Sequence, residues 1–319
     1  MKDHPQAESM ALGTGVSRLM LVSTMLVFGT VGLVIRGISL PTPEIALYRA
    51  AIAFVVITLF MLASGRFRAL YKQRRMLWRF LLSGGIMAVN WILLFEAIRH
   101  TSIALATLAY YSAPALMILG SVLLLKERLS AWQVACFVLS TLGLVMMLGV
   151  SSASPGDLKG VLLGLASAVL YATVILINKV SPGLDGISRT WVQFTAAIAV
   201  MLPFLALSGG FHLGQLDGAG WASLLLLGIL HTGICYCLYF LAIPALKGQQ
   251  VAIMSYIDPL VAVLLSVFVL GEAISPWQLL GGAVMVVFAV LYELGHRNAG
   301  KAAGLDAALP DNPVGTTNE

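Results

Sequence analysis

Apolar runs of about 20 residues recur from position 18 to position 295, and an α-helix of that length, rising 1.5 Å per residue, crosses the hydrocarbon core of a bilayer. Ten such runs occur, at 18–39, 43–64, 76–98, 102–125, 130–149, 158–179, 187–208, 219–243, 248–270 and 275–295. Lipid offers no partner to backbone N–H and C=O groups, so each run must close its own hydrogen bonds as a helix. The connections are too short for a soluble domain and make successive helices mostly antiparallel neighbours. Only 10% of the residues are charged and 59% are hydrophobic, whereas soluble domains carry about a quarter charged residues. The expected fold is an all-α integral membrane protein of ten transmembrane helices.

The polar ends, 1–17 and 296–319, lack apolar period and read as disordered tails without a site. Acidic residues precede the first run, it is long for a signal peptide, and another run follows closely, so it reads as a retained span. With the N-terminus in the cytoplasm, all of the 19 Lys and Arg except Arg36, Arg49, Arg99 and Lys159 fall on the inner side. That bias predicts ten spans with both ends cytoplasmic. The net charge of +5 is thereby assigned to topology, and no nucleic-acid partner is expected.

The chain also repeats itself. "YYSAPALMILGSVLLLKERLSAWQ" aligns with "SYIDPLVAVLLSVFVLGEAISPWQ" at an offset of 145 residues, matching Tyr111, Pro114, Ser121, Glu127, Ser130, Trp132 and Gln133 to Tyr256, Pro259, Ser266, Glu272, Ser275, Trp277 and Gln278. A weaker echo sets "FGTVGLVIR" over "YATVILINK". Five spans per copy is an odd number, so the second copy enters the membrane from the opposite side. The repeats are 18–149 and 150–295, and they are inverted. Ser130 and Ser275 are suited to N-caps, and Glu127 and Glu272 to the positive end of the helix that follows. Pro114 and Pro259 remove a mid-helix donor and are candidate hinges. Gly160 and Gly164 form a GxxxG suited to close helix packing.

Ten spans, five-plus-five inverted repeats, and paired Pro-containing helices leading into "LLLKERLSAWQ" and "FVLGEAISPWQ" resemble an EamA-type transporter of the drug/metabolite transporter superfamily. The resemblance covers residues 18 to 295. Arg49 in "ALYRAAIAF" matches an Arg that such carriers often place in their second helix. It implies a carrier of amino acids or other small metabolites in a bacterial cytoplasmic membrane, often an exporter, with a cavity at the repeat interface. Organellar nucleotide-sugar and phosphate-sugar antiporters belong to the same superfamily, so fold alone leaves the solute open.

Residues present in one copy only are not required by the shared architecture. Asp258 is the leading case, since its counterpart is Ala113. It falls at mid-depth, where a charge costs at least about 2.5 kcal/mol. Either it serves a substrate ammonium or a proton, or it is an acid hydrogen-bonded to a neighbouring helix. His231, opposite Ile86 in the repeat, is the second case, and it forms a proton-exchange pair if it faces Asp258. Arg49 and Glu96, near the outer surface, are candidates for an ion pair, serving as an outer gate, a carboxylate site or a fixed tie. Tyr110, Tyr111, Ser255, Tyr256, Asn90 and Trp91 supply amphipathic groups to the expected cavity, with Ser112, Tyr171 and Asn178 nearby.

Three cysteines, Cys136, Cys235 and Cys237, fit neither a disulfide framework nor a metal site. No GxxxxGK[ST], HExxH or GxSxG occurs, so ATP drive, enzymatic chemistry and cofactors are not expected. The expected partners are a small-molecule substrate, the lipid bilayer and, as coupling ion, the proton; monomer and homodimer both stay open. A phosphate-bearing solute would call for a cation deep in the cavity, whereas Asp258 beside Tyr and Asn groups suits an amino-bearing or zwitterionic one.

Overall fold

The computed structural model describes residues 13–306 apart from 102, 149–157, 182 and 272–274. Among these, eight helices are long and apolar enough to cross a membrane, against the ten expected, and two shorter apolar stretches, Ala131–Met147 and Pro276–Tyr292, stand where the other two were expected. In chain order they are α1 (Thr14–Arg36), α2 (Thr42–Ala63), α3 (Arg74–His100), α4 (Leu105–Leu125), α5 (Ala131–Leu148), α6 (Leu158–Val180), α7 (Gly186–Ser208), α8 (Gly218–Ala245), α9 (Gly248–Leu265) and α10 (Pro276–Asp306). The last helix runs past 295 into the segment expected to be a tail. Expectations for 1–12, 307–319 and Glu272 lie outside the described residues.

Packing follows the repeat. Helix α3 lies on α6 as α8 lies on α1, α7 on α3 as α2 on α8, and α4 on α6 as α9 on α1, while α2–α7, α4–α9 and α5–α10 meet as counterparts. Exchanging the first five helices for the second five leaves this pattern unchanged, which is what a two-fold pseudo-symmetry between inverted repeats requires.

The repeated sequence builds repeated local structure. Ser130 Oγ accepts from the Gln133 N–H at 3.2 Å while Gln133 Oε1 accepts from the Ser130 N–H at 2.9 Å. Ser275 and Gln278 repeat both bonds at 3.2 and 2.9 Å. Each is a capping box that satisfies two otherwise orphaned donors. The turns before them also correspond, with Lys126 at φ 55 and Gly271 at φ 68.

Four spans are irregular. The α4 run breaks between Ile103–Tyr110 and Ala113–Leu125, and α9 breaks at the equivalent place, between Gly248–Met254 and Ile257–Phe268. Pro114 and Pro259 stand in the first turn of the second halves, where a missing N–H costs nothing. Helix α1 breaks between Thr14–Phe28 and Val31–Arg36, and α8 widens to a π-helix over Leu227–Ile234.

Polar side chains tie the spans together, as expected where lipid gives no hydrophobic drive between helices. Asn90 Nδ2 donates to the Ser167 carbonyl at 2.7 Å, joining α3 to α6, and Trp191 Nε1 donates to Thr58 Oγ1 at 2.8 Å, joining α7 to α2. The GxxxG packs as its spacing suggests, Gly160 against Thr101 and the Ala97 carbonyl, Gly164 against Ala109. Arg189, counted above among basic residues on the inner side, is buried and donates to the carbonyls of Asn178 (2.8 Å), Ser181 (3.0 Å) and Leu184 (2.9 Å). It therefore caps the end of α6. Arg189→Met leaves those carbonyls without this donor and is expected to destabilise the protein by about 3 kcal/mol, read as a lower melting temperature in detergent. An unchanged melting temperature would show that the α6–α7 turn is held by other contacts.

Candidate functional site

The irregular stretches of α1, α8 and α9 converge on one cavity of about 320 Å³, walled also by α2, α3, α4 and α6. Its lining reaches Ile35 and Thr42, which flank the α1–α2 turn, so it opens toward that end of the bundle. Close contact of α1 with α9 depends on Gly29. A Cβ there would lie 2.5 Å from Val261 Cβ and 2.8 Å from the Asp258 carbonyl oxygen.

Asp258 lines this cavity from the first turn of the half-helix Ile257–Phe268. Unpaired N–H groups give such a helix start a partial positive charge that favours a carboxylate. The break in α9 thus explains how an acid is accommodated midway along an apolar helix, and Tyr111, from the matching break in α4, directs its hydroxyl to the same carboxyl. Among the described residues Asp258 has no ion-pair partner.

Arg49 enters from α2. Its guanidinium lies 4.7 Å from the centroid of the Trp91 ring, a cation–π contact, and its buried Nε has no hydrogen-bond partner among the described residues. The expected tie to Glu96 is not made. Glu96 pairs instead with Arg99 at 2.9 Å and His100 at 3.8 Å on its own helix. These residues are three and four positions away and share its face, whereas Arg49 and Trp91 line the cavity.

His231 also lines the cavity, but it does not bond Asp258. Its Nε2 is 2.8 Å from Thr30 Oγ1 at the break in α1, and its Nδ1 is 3.3 Å from the Leu226 carbonyl. The ring is therefore held by hydrogen bonds to a hydroxyl and a carbonyl. The expected direct proton-exchange pair is absent; the two side chains share only the cavity.

Trp91 and Tyr110 are lining residues. Tyr171, from α6, lines the cavity as well, while four other candidates lie elsewhere. Asn90 is buried in the α3–α6 contact. Tyr256 bonds Thr141 at 2.8 Å and stacks near Phe137. Ser255 donates to the Val251 carbonyl of its own helix at 2.8 Å, and Asn178 bonds Ser83 and Gln193 in the α3–α6–α7 packing. The paired tyrosines thus diverge, with Tyr111 at the acid and Tyr256 in the core.

Tyr236 was not singled out by sequence reasoning, yet it lines the cavity within a cluster of Phe28, Phe194, Tyr239 and Phe240. In an α-helix His231 and Tyr236, five residues apart, point to different faces. The π-helix closes at i→i+5 and brings them to one side. No α-helical periodicity would reveal that.

The EamA-like transporter family profile matches residues 16–149 and 158–293, one match on each repeat. An uncharacterized transporter of Bacillus subtilis (strain 168), YxxF, is 27% identical over 305 residues, covering 95% of this chain and 96% of its own. The mouse protein named Solute carrier family 35 member G1 is 23% identical over 300 residues, covering 90% and 80%. A crystal structure with a TM-score of 0.77 and 22% identity spans 89% of this chain and 99% of its own, and shows the same fold. With both repeats matched and transporters among its relatives, the chain belongs to the EamA-like transporter family and is a multi-pass membrane transporter rather than an enzyme.

Proposed function

We propose that the protein is a secondary transporter that exports amino acids or closely related small zwitterions from the bacterial cytoplasm by alternating access. One observation carries this reading: an arginine and an aspartate, neither in an ion pair among the described residues, line a single cavity together with Phe28, Trp91, Tyr110, Tyr171 and Tyr236. Arg49 suits the carboxylate of an amino acid and Asp258 its ammonium, and the rings suit an apolar or aromatic side chain. Both termini lie in the cytoplasm on the positive-inside argument, so the cavity faces outward in this conformation.

A phosphate-sugar or nucleotide-sugar substrate fits less well. The lining contributes a single cation, Arg49, and a volume of about 320 Å³ is at the small end for ligand pockets. Counterflow in proteoliposomes tests the proposal. Zwitterionic amino acids with apolar side chains should exchange and be recovered chemically unchanged. The matching amine without its carboxylate, and the N-acylated acid without its ammonium, should each be weaker by about tenfold or more, since each leaves a buried polar group unmatched. Preference for a sugar phosphate over every amino acid would sink the reading.

A further inference from the structure

At the end of the bundle opposite the cavity mouth, a largely buried charge cluster joins the two repeats. Glu127 was expected to serve the helix that follows it. The Ser130–Gln133 capping box already occupies that helix start, and the left-handed turn at Lys126 aims Glu127 elsewhere. Its Oε1 accepts from the Gly248 N–H at 3.1 Å, at the start of α9, and lies 3.4 Å from Lys179 Nζ at the end of α6. Lys179 also donates to the Leu246 carbonyl. Beside them, Gln249 donates to the Arg128 carbonyl at 3.2 Å.

Three features distinguish this cluster from an ordinary surface pair. Both side chains are only 13% exposed, so their attraction is weakly screened by water. Every contact joins the first repeat, through Glu127 or Arg128, to the second, or joins two helices of the second that carry those contacts. Steric fit is also tight, since a Cβ on Gly248 would lie 1.9 Å from Ser121 Oγ. In a carrier whose repeats rock about a central site, contacts between repeats at the closed end must break when that end opens.

We infer that the Glu127–Lys179 pair, seated on the start of α9 at Gly248, is the lock that holds the bundle closed at the end opposite the cavity mouth. The inference rests on the carrier reading above, and concerns which conformation is populated rather than which solute is bound. The lock stabilises the outward-facing state. Weakening it shifts the population toward the inward-facing state by the free energy of the lost contact.

The test reads accessibility and needs no solute. In a chain with Cys136, Cys235 and Cys237 replaced by serine, Ala46→Cys places one thiol on the cavity wall. A membrane-impermeant maleimide is applied to right-side-out cells and to inverted vesicles. Glu127→Gln, which keeps an acceptor for the Gly248 N–H, and Lys179→Gln should each raise labelling from the inner side by about fivefold, a typical coupling magnitude. The swap of Glu127→Lys with Lys179→Glu should return labelling toward the parent value, and Gly248→Ala should raise it by steric wedging alone. The proposal is overturned if folded single variants label from both sides as the parent does, or if the singles fail to fold and the folded swap and Gly248→Ala both label as the parent does. A parent thiol unreachable from either side would instead count against the carrier reading, which keeps the two failures distinct.

Discussion

Asp258→Asn is expected to lower gradient-driven efflux of zwitterionic amino acids by about 10- to 100-fold, the range for losing one charge-assisted hydrogen bond of about 1.5–3 kcal/mol. Asparagine keeps the volume and an acceptor for Tyr111 and does not disturb the half-helix that starts at Ile257, so melting temperature should change little. The charge alone is removed. Flux from proteoliposomes, measured with and without an imposed pH gradient at matched insertion, separates three roles. Loss of gradient-driven flux with downhill exchange retained makes Asp258 a coupling site for protons. Loss of both makes it part of the solute site. Persistence of both would make it structural and remove the central support for the proposed function.

Arg49→Lys is expected to raise the half-saturation concentration for amino acids about tenfold while leaving transport of the amine lacking a carboxylate nearly unchanged. Lysine keeps the positive charge. It loses the planar fork that can grip a carboxylate with two parallel hydrogen bonds, and the flat face that lies on Trp91. Trp91→Phe, which keeps a ring with a weaker quadrupole attraction, should fall between wild type and Arg49→Lys. Equal losses for the amino acid and for the amine would show that Arg49 supports the bundle and does not contact the carboxylate.

Much of the fold was legible because its determinants are local. Ser130 and Ser275 cap the helices that follow them as their positions implied, with Gln133 and Gln278 completing each box, and the Pro114 and Pro259 segments broke at equivalent places. Glu96 shows the limit of the same reasoning. Depth along a helix placed it level with Arg49, but rotation about the helix axis turned it to the face shared with Arg99 and His100. Asn90 and Trp91 illustrate the point within one helix, since adjacent residues differ by about 100° around the axis; Asn90 joins α6 and Trp91 faces the cavity.

From the sequence alone followed the order of the apolar helices, their inverted duplication and the asymmetric acid in α9. Those features depend on partitioning apolar runs into lipid and on residues a few positions apart, so neighbouring letters suffice. The tertiary structure decided which polar groups meet. It pairs Tyr111 with Asp258, puts His231 on Thr30, recruits Tyr236 through a π-helix, and carries Glu127 across the repeats to Gly248. Each of those outcomes depends on helix rotation, on a broken or widened turn, or on the approach of segments more than 100 residues apart, and the energy of such contacts exists only once the helices have packed.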